Sequence, residues 1–262
     1  MPSVIVTDLD GTLLDGSHRL GGFTRDVLRG LAERGAHIVL ASGRPWADVD
    51  AIRQRLGIDC HLITANGARV YHSTGDTLFS RDLPADLAGE LLSLAQPGLH
   101  MNLYRDRDWL VTEPNPELLA YHHDSGFSYR MVRPAELPSA GVAKLFWIGE
   151  QQVLREFEVR IRDLVGTRGE LTYSLPTSLE VMAAGVSKGA ALQALLDQLG
   201  IAQRDVLAFG DGLNDREMLA MAGQGVITAN AHPRLQRDLP WLEMIGSHEN
   251  EAVAHYLSER FL

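Results

Sequence analysis

Two aspartates, Asp8 and Asp10, stand two residues apart where a short apolar run ends. Side chains two residues apart on extended backbone point to the same side, so both carboxylates can face one ligand. Because the ordinary pKa of an aspartate is about 3.9, Asp8 is predicted to be ionised and able to attack phosphorus. Asp10 is predicted to protonate the leaving oxygen and then activate water, which needs a raised pKa. Alone, the pair also fits a simple Asp-Gly turn.

Three further side chains supply the donors and the positive charge that phosphoryl transfer needs. Ser42 offers a hydroxyl beside Gly43, whose backbone N–H can approach an anion closely. Lys188 stands at a predicted helix start, where the helix dipole also favours anions. Asn214 adds a side-chain amide. An isolated lysine is usually ordinary surface, so the predicted phosphate site depends on these residues meeting.

A third carboxylate predicts a metal site. Asp211, together with Asp8 and the backbone carbonyl of Asp10, would hold an octahedral Mg²⁺ and leave room for waters. Asp215, four residues further on, is predicted to orient these ligands from behind. Residues 210–215 are also typical of a helix start, where acidic side chains act as caps. The metal site and the cap remain alternatives at this point.

The elements that must position these side chains follow from apolar periodicity. Short β-branched runs predict buried parallel strands, and apolar residues at helical spacing predict helices between them. The predicted strands are 4–7, 37–41, 61–65 and 205–209, and the predicted helices are 24–34, 46–56, 187–199 and 213–221. This alternation predicts an α/β fold with a doubly wound parallel sheet. Ligands collect at the carboxyl ends of such strands, which is where the polar clusters stand.

The order of predicted helices and strands changes in the middle of the chain. The predicted helices there are 84–95, 116–123 and 151–165, and the predicted strands are 144–148, 178–183 and a hairpin around 105–108. This pattern predicts a separate α+β unit, 82–183, inserted into a catalytic unit formed by 1–81 and 184–262. The chain would cross between the units near Arg81 and Ala183, with Gly185 as a hinge, so that the inserted unit can close over the site.

Composition limits the classes of function. The chain has 262 residues, 45% of them hydrophobic, and a formal net charge of -10, which disfavours binding to nucleic acid. Cys60 is the only cysteine, so no intrachain disulfide can form and a reducing compartment is expected. The N-terminus has no basic n-region and no long apolar stretch. We therefore expect a cytoplasmic protein that binds neither nucleic acid nor membrane, and the sequence predicts no oligomeric state.

Four ordered segments together resemble the motifs of the haloacid dehalogenase superfamily, namely residues 8–12, 42–44, 187–189 and 210–215. The pair Asn66-Gly67, the inserted unit and residues 226–231 are similar to its Cof-type hydrolases with a type-IIB cap. This resemblance covers essentially the whole chain. A narrower likeness, through residues 214–219 and 251–257, is to the Cof phosphatases that act on hydroxymethylpyrimidine diphosphate.

The resemblance implies a Rossmann-like core, a cap that closes over it, and Mg²⁺ as the cofactor. It also implies the roles given above for Asp8, Asp10, Ser42, Lys188, Asp211 and Asn214. The implied substrate is a small phosphorylated metabolite of the sugar phosphate, pyridoxal phosphate or hydroxymethylpyrimidine diphosphate type. The specificity for one substrate over another should depend on the cap, because the core contacts only the phosphate that all these substrates share. Candidate substrate contacts are Arg44 and Asn66 at the core rim, and Tyr104, Trp109, His122, His123 and Trp147 in the inserted unit. The apolar surroundings of Trp147 favour the protein core instead.

Two alternative functions stay open. A phosphomutase of the same superfamily would return phosphate to the same sugar and release free phosphate only as a leak. A non-hydrolytic phospho-aspartate switch would also use an aspartate, a lysine and Mg²⁺. Such a switch needs neither a proton-donating Asp10 nor an inserted unit that covers its site, so the sequence favours hydrolysis.

Overall fold

The computed structural model describes residues 1–94, 96–120 and 126–262, which form two β-sheets and the helices that cover them. The strands are β1 Val4–Thr7, β2 His37–Ala41, β3 His61–Thr64, β4 Arg69–Tyr71, β5 Thr77–Ser80, β6 Leu99–Arg105, β7 Asp108–Val111, β8 Arg130–Met131, β9 Val142–Gly149, β10 Gly169–Leu175, β11 Ser178–Ala183, β12 Val206–Gly210, β13 Gln224–Ile227 and β14 Glu243–Met244. The α-helices are α1 Gly22–Glu33, α2 Trp46–Leu56, α3 Ala85–Leu92, α4 Pro116–Ala120, α5 Gln151–Val165, α6 Lys188–Leu199, α7 Arg216–Met221, α8 Pro233–Asp238 and α9 Ala252–Phe261.

The larger sheet has eight strands in the order β14-β13-β12-β1-β2-β3-β4-β5. Its centre is parallel, with Val4 of β1 opposite His37 of β2 on one side and Val206 of β12 on the other. Only β4 and β5, at one edge, run antiparallel to their neighbours. The predicted α/β fold with a doubly wound parallel sheet is therefore confirmed.

Strand β1 shows why the central strands are continuous apolar runs. Ile5 packs on one face of the sheet, in a cluster that includes residues of α1, α2 and α9. Val4 and Val6 pack on the other face, against residues of α6, α7 and α8. Since helices cover both faces, every residue of the strand is buried, and burying one such side chain stabilises the fold by roughly 1.5–3 kcal/mol. The strand then delivers Asp8 to the carboxyl edge of the sheet.

The smaller sheet has six strands in the order β10-β11-β9-β6-β7-β8. Helices α3 and α5 cover one of its faces, where the Trp147 ring lies 4.9 Å from the Phe157 ring, which confirms that Trp147 belongs to the core. Alternate residues of β9 face the other way. Among these, Lys144 donates from Nζ to the backbone oxygen of Gly43, 2.8 Å away. This face of the smaller sheet thus lies against the loop that follows β2.

Most predicted elements are confirmed to within a few residues, and the exceptions have local causes. The predicted helix 213–221 begins later, at Arg216, because Leu213–Asp215 forms a tighter 3₁₀ turn. The predicted strand 61–65 ends at Thr64, because Ala65 adopts a positive φ of 49°. Six strands, β4, β5, β8, β10, β13 and β14, and helices α8 and α9 are not among the predicted elements. Residue 95 and predicted residues 121–123, including His122 and His123, lie outside the described residues.

The smaller sheet and its helices fall between residues 82 and 183, where the sequence predicts an inserted unit. The predicted hairpin is present, with Arg105 of β6 opposite Asp108 of β7. That 82–183 and the remainder act as separate domains, hinged at Gly185, stays a prediction. Over the part of the chain that the structure describes, no helix has both the length and the apolar character needed to cross a bilayer.

Candidate active site

The buried Lys188 joins two strand ends. Its ammonium lies 2.6 Å from Oδ1 of Asp8, directly after β1, and 2.6 Å from Oδ1 of Asp215, in the turn after β12. Lys188 can reach both carboxylates because it is the first residue of α6, a helix capped by the Ser187 hydroxyl. Burial alone would lower the pKa of Lys188, but Asp215 and Asp8 outweigh it and the pKa is raised. The lysine is therefore a fixed positive charge beside Asp8.

The carboxylates at this point carry more negative charge than the single ammonium offsets. Burial, followed by repulsion from Asp215, raises the pKa of Asp8 well above its usual range. The same two causes raise the pKa of Asp211 to about 6. Ligand atoms of Asp8, Asp211 and Asp215 lie within 4.8 Å of one another. Such a cluster of hard oxygen donors fits a divalent cation, which would favour the ionised forms.

The surroundings of Asp211 hold its carboxylate toward Asp8. The Thr12 hydroxyl donates to Oδ1 of Asp211 over 2.9 Å. Gly11 has a φ of 77°, and a Cβ at this position would lie 2.5 Å from Oδ2 of Asp211, so only glycine fits this turn. Oδ2 of Asp215 accepts hydrogen bonds from the backbone N–H groups of Asp211 and Gly212, at 3.0 and 2.9 Å. Asp215 thus orients the turn that carries Asp211.

Asp10 lies in a different electrostatic environment from Asp8. Arg44 donates from Nε to Oδ2 of Asp10 over 2.7 Å and also contacts Oδ1 through its second terminal nitrogen. Nδ1 of His18 lies 2.8 Å from the same Oδ1. Burial alone would raise the pKa of Asp10, but the charge of Arg44 and the hydrogen bonds from His18 and Arg44 outweigh it and lower the pKa. The prediction that the pKa of Asp10 is raised is therefore wrong, because Asp10 is paired with Arg44.

The predicted phosphate-binding residues meet at the same edge of the sheet. Oγ of the buried Ser42 accepts from the backbone N–H of Arg44 over 3.1 Å. Nδ2 of Asn214 donates to Oδ1 of Asn66 over 3.1 Å, and a Cβ at Gly43 would lie 2.9 Å from that oxygen. Asn66 is only 2% exposed and is absent from the cavity lining, so it is a support behind Gly43 and not the rim residue that the sequence predicts.

A cavity of about 470 Å³ opens between the two sheets above these residues. Seven of the predicted site residues line it, namely Asp8, Asp10, Ser42, Gly43, Arg44, Asp211 and Asn214. Lys188 and Asp215 lie behind this lining, each fully buried. From the smaller sheet, Tyr104 and Trp109 line the cavity as the sequence predicts, together with Lys144, Phe146 and Glu180. The arrangement can hold an anion between the acidic wall, which fits a divalent cation, and an aromatic roof.

The model of a known family, the haloacid dehalogenase-like hydrolases, matches residues 5–257 of this sequence. The chain belongs to this family. An HMP-PP phosphatase of Serratia proteamaculans is 41% identical over 252 residues, which are 95% of this chain and 92% of that protein. A haloacid dehalogenase-like hydrolase of Bacteroides thetaiotaomicron has the same fold, with a TM-score of 0.89 at 24% identity over the whole of both chains. The HAD subclass IIB sugar phosphatase BT4131 superposes with a TM-score of 0.83 at 20% identity over 98% of each chain.

This haloacid dehalogenase-like hydrolase is thus a phosphatase, an enzyme that hydrolyses phosphoric ester or diphosphate bonds. The resemblance found in the four sequence motifs is confirmed. Enzymes of this family generally use Mg²⁺, and the acidic cluster described above fits that metal.

Sequence reasoning missed several residues of the site. His18 has no motif to mark it and reaches Asp10 only through the loop after β1, where its φ is 59°. Lys144 and Glu180 come from strands of the smaller sheet and pair over 3.1 Å. Asn230 donates to the backbone oxygen of Gly11 over 2.8 Å. A charged residue inside an apolar strand is the one signal that marks Lys144 in the sequence, since such residues are rarely buried without a partner.

Arg44 also stabilises the fold, and this gives a prediction. Its terminal nitrogen lies 2.9 Å from Oδ2 of Asp48, which is fully buried in α2. Removing one partner of a buried ion pair is strongly destabilising, so Arg44→Gln should lower the free energy of unfolding by about 3 kcal/mol. The exposed pair of Arg130 with Asp108 is a control, since Arg130→Gln should cost less than about 1 kcal/mol. Urea denaturation measures both, and equal losses would contradict the prediction.

Proposed function

We propose that this enzyme is a Mg²⁺-dependent phosphatase that forms an aspartyl-phosphate on Asp8 and acts on a small phosphorylated metabolite. The observation that carries the proposal is the contact of Lys188 with Asp8, 2.6 Å long and buried, beside the metal-binding wall formed with Asp211. A nucleophile, a fixed cation and a metal-binding carboxylate thus stand at one point, as phosphoryl transfer requires.

In the first step, a carboxylate oxygen of Asp8 forms a bond to phosphorus while the bond from phosphorus to the leaving oxygen breaks. In the second step, water attacks the phosphorus of the aspartyl-phosphate and loses its proton to Asp10, while the bond from phosphorus to the Asp8 oxygen breaks. This regenerates Asp8 and releases inorganic phosphate. Ser42, the Gly43 backbone N–H and Asn214 hold the equatorial phosphate oxygens in both steps.

The lowered pKa of Asp10 favours one kind of leaving group. An alkoxide is a strong base and must take a proton as it departs, whereas a phosphate leaving group has a second pKa of about 6 and can depart as an anion. Because Arg44 and His18 keep Asp10 ionised, the residue carries no proton to give to an alkoxide in the first step, while its carboxylate is free to accept the proton of water in the second. This supports a diphosphate as the substrate, and hydroxymethylpyrimidine diphosphate, the HMP-PP of the relatives' name, is our first candidate.

Mg²⁺ is proposed to bind a carboxylate oxygen of Asp8, one of Asp211 and the backbone carbonyl of Asp10, with Asp215 orienting the ligands. Bound there, the metal supplies positive charge to the transferred phosphoryl group. We predict that chelation by EDTA abolishes phosphate release and that added Mg²⁺ restores it, measured with the same protein before and after dialysis. Full activity in EDTA would contradict the metal assignment.

The substrate proposal is tested by phosphate release across a panel of hydroxymethylpyrimidine diphosphate, sugar phosphates, pyridoxal phosphate and nucleotides. We expect the highest kcat/KM with the pyrimidine diphosphate. A sugar phosphate that is consumed without equivalent free phosphate would instead support a phosphomutase. A location in the cytoplasm also stays part of the proposal, resting on the single cysteine, Cys60.

A further inference from the structure

The roof of the cavity is formed by side chains of β6 and β9 that point away from the helices of the smaller sheet. Tyr104 of β6 stands directly opposite Lys144 of β9, and Phe146 follows two residues later on the same face. All three line the cavity. The Tyr104 ring packs edge-on against Phe146, with ring centroids 4.9 Å apart, and against Trp109, at 6.1 Å. The ring is therefore held in one place.

The hydroxyl of Tyr104 has no hydrogen-bond partner within the described part of the chain, although the residue is only 5% exposed. The hydroxyl oxygen itself is accessible at the cavity wall, so it is free to donate to a ligand there. Burial, followed by the charge of Asp48, raises the pKa of Tyr104 well above its usual value. The hydroxyl thus keeps its proton and remains a donor.

Lys144 places this tyrosine beside the phosphate site. The ammonium lies 4.9 Å from the Tyr104 ring centroid and 2.8 Å from the backbone oxygen of Gly43. Glu180 holds the ammonium from the other side, at 3.1 Å. One buried side chain therefore links the tyrosine ring to the loop that binds the transferred phosphate. The residues after β1, β2 and β12 form the proposed binding site of the transferred phosphate. The roof on the opposite side of the cavity therefore faces the leaving group of the substrate.

We propose that Tyr104 is a specificity-determining residue whose hydroxyl donates to a phosphate oxygen on the leaving side of a diphosphate substrate. A second phosphate lies at a fixed distance from the transferred one, whatever organic group follows it. A phosphate monoester has only a single bridging oxygen there and offers no equivalent charged acceptor. The tyrosine thus favours diphosphates over monoesters. This inference rests on the proposed function and extends it by assigning the residue that selects the diphosphate.

The test is Tyr104→Phe, which removes the hydroxyl and keeps the ring. We expect kcat/KM for hydroxymethylpyrimidine diphosphate to fall about 10- to 100-fold, as expected for a lost hydrogen bond to a charged group. The value for p-nitrophenyl phosphate, a monoester, should change less than about twofold. The melting temperature should stay the same or rise, because the substitution removes no hydrogen bond between described residues.

Tyr173→Phe is the matched control, because the Tyr173 hydroxyl donates to Oε2 of Glu158 over 3.1 Å and Tyr173 does not line the cavity. It should leave the ratio of the two kcat/KM values unchanged. An equal loss on both substrates with Tyr104→Phe, or no loss on the diphosphate, would overturn the inference. A wild-type enzyme that hydrolyses p-nitrophenyl phosphate but not the diphosphate would overturn it too. Failure of the proposed function differs from all of these, since the wild type would then release phosphate from neither substrate.

Discussion

Asp8→Asn should abolish phosphate release while leaving the metal-free protein at least as stable as the wild type. An amide has nearly the shape of a carboxylate but cannot attack phosphorus, so no aspartyl-phosphate forms. Substituting the nucleophile commonly abolishes reaction through the covalent intermediate. We therefore expect kcat to fall by about 10⁴-fold or more. Steady-state phosphate release with hydroxymethylpyrimidine diphosphate measures this loss.

The stability half of this prediction follows from the raised pKa of Asp8. A carboxyl group whose pKa is higher in the folded than in the unfolded protein favours folding at a pH below its ordinary pKa. That contribution is lost as the pH rises through the raised value. Without metal and above that raised pKa, an ionised Asp8 therefore opposes folding, mainly through burial and the repulsion of Asp215. Asparagine removes the charge, so the urea midpoint in EDTA should stay the same or rise.

Asp26→Asn is the control for this substitution, because Asp26 is exposed on α1, where it pairs with its neighbour Arg25. It should change neither kcat nor the urea midpoint appreciably. Activity of Asp8→Asn above about a tenth of the wild-type value would show that another group is the nucleophile. Inactivity combined with a large loss of stability would show that the variant fails by unfolding.

The sequence predicts the catalytic edge of the sheet well, because that edge depends on local signals. Buried parallel strands such as β1 and β2 are largely apolar runs that end abruptly at polar residues, and the parallel arrangement brings those ends together. Asp8, Ser42 and Asp211 each follow such a strand, so the strand pattern by itself predicts that they meet. The helix that starts at Lys188 is marked in the sequence by the serine that caps it.

The partners that set the behaviour of these residues could not be predicted, because they come from distant parts of the chain. The pKa of Asp10 depends on Arg44, thirty-four residues away, and on a loop histidine whose position no periodicity fixes. Glu180 lies on β11 and Lys144 on β9, and only the strand register makes them neighbours. Strands such as β10 could not be predicted, because most of their residues are half-exposed and their sequences contain no continuous apolar run.

Lys188→Met should produce the largest combined loss of activity and stability. Methionine has a similar length but no charge, so Asp8 and Asp215 would lose the cation that now lies 2.6 Å from each. Leaving buried carboxylates without their partner typically costs about 3–5 kcal/mol, and we expect a loss of that size in the free energy of unfolding, measured by urea in EDTA at pH 7.5. We also expect kcat to fall by about 10³-fold, because the fixed charge beside the transferred phosphate is gone.

A second variant separates the two effects of Lys188. In Lys188→Met with Asp215→Asn, one of the two unpaired charges is removed as well, so part of the lost stability should return. Activity should not return, because neither substitution supplies a cation to the phosphate. The stability lost in the single variant should also shrink toward pH 5, since Asp8, whose pKa is already raised in the folded protein, then binds a proton more readily. A stability loss that neither the second substitution nor acid reduces would mean that Lys188 acts by packing and not by its charge.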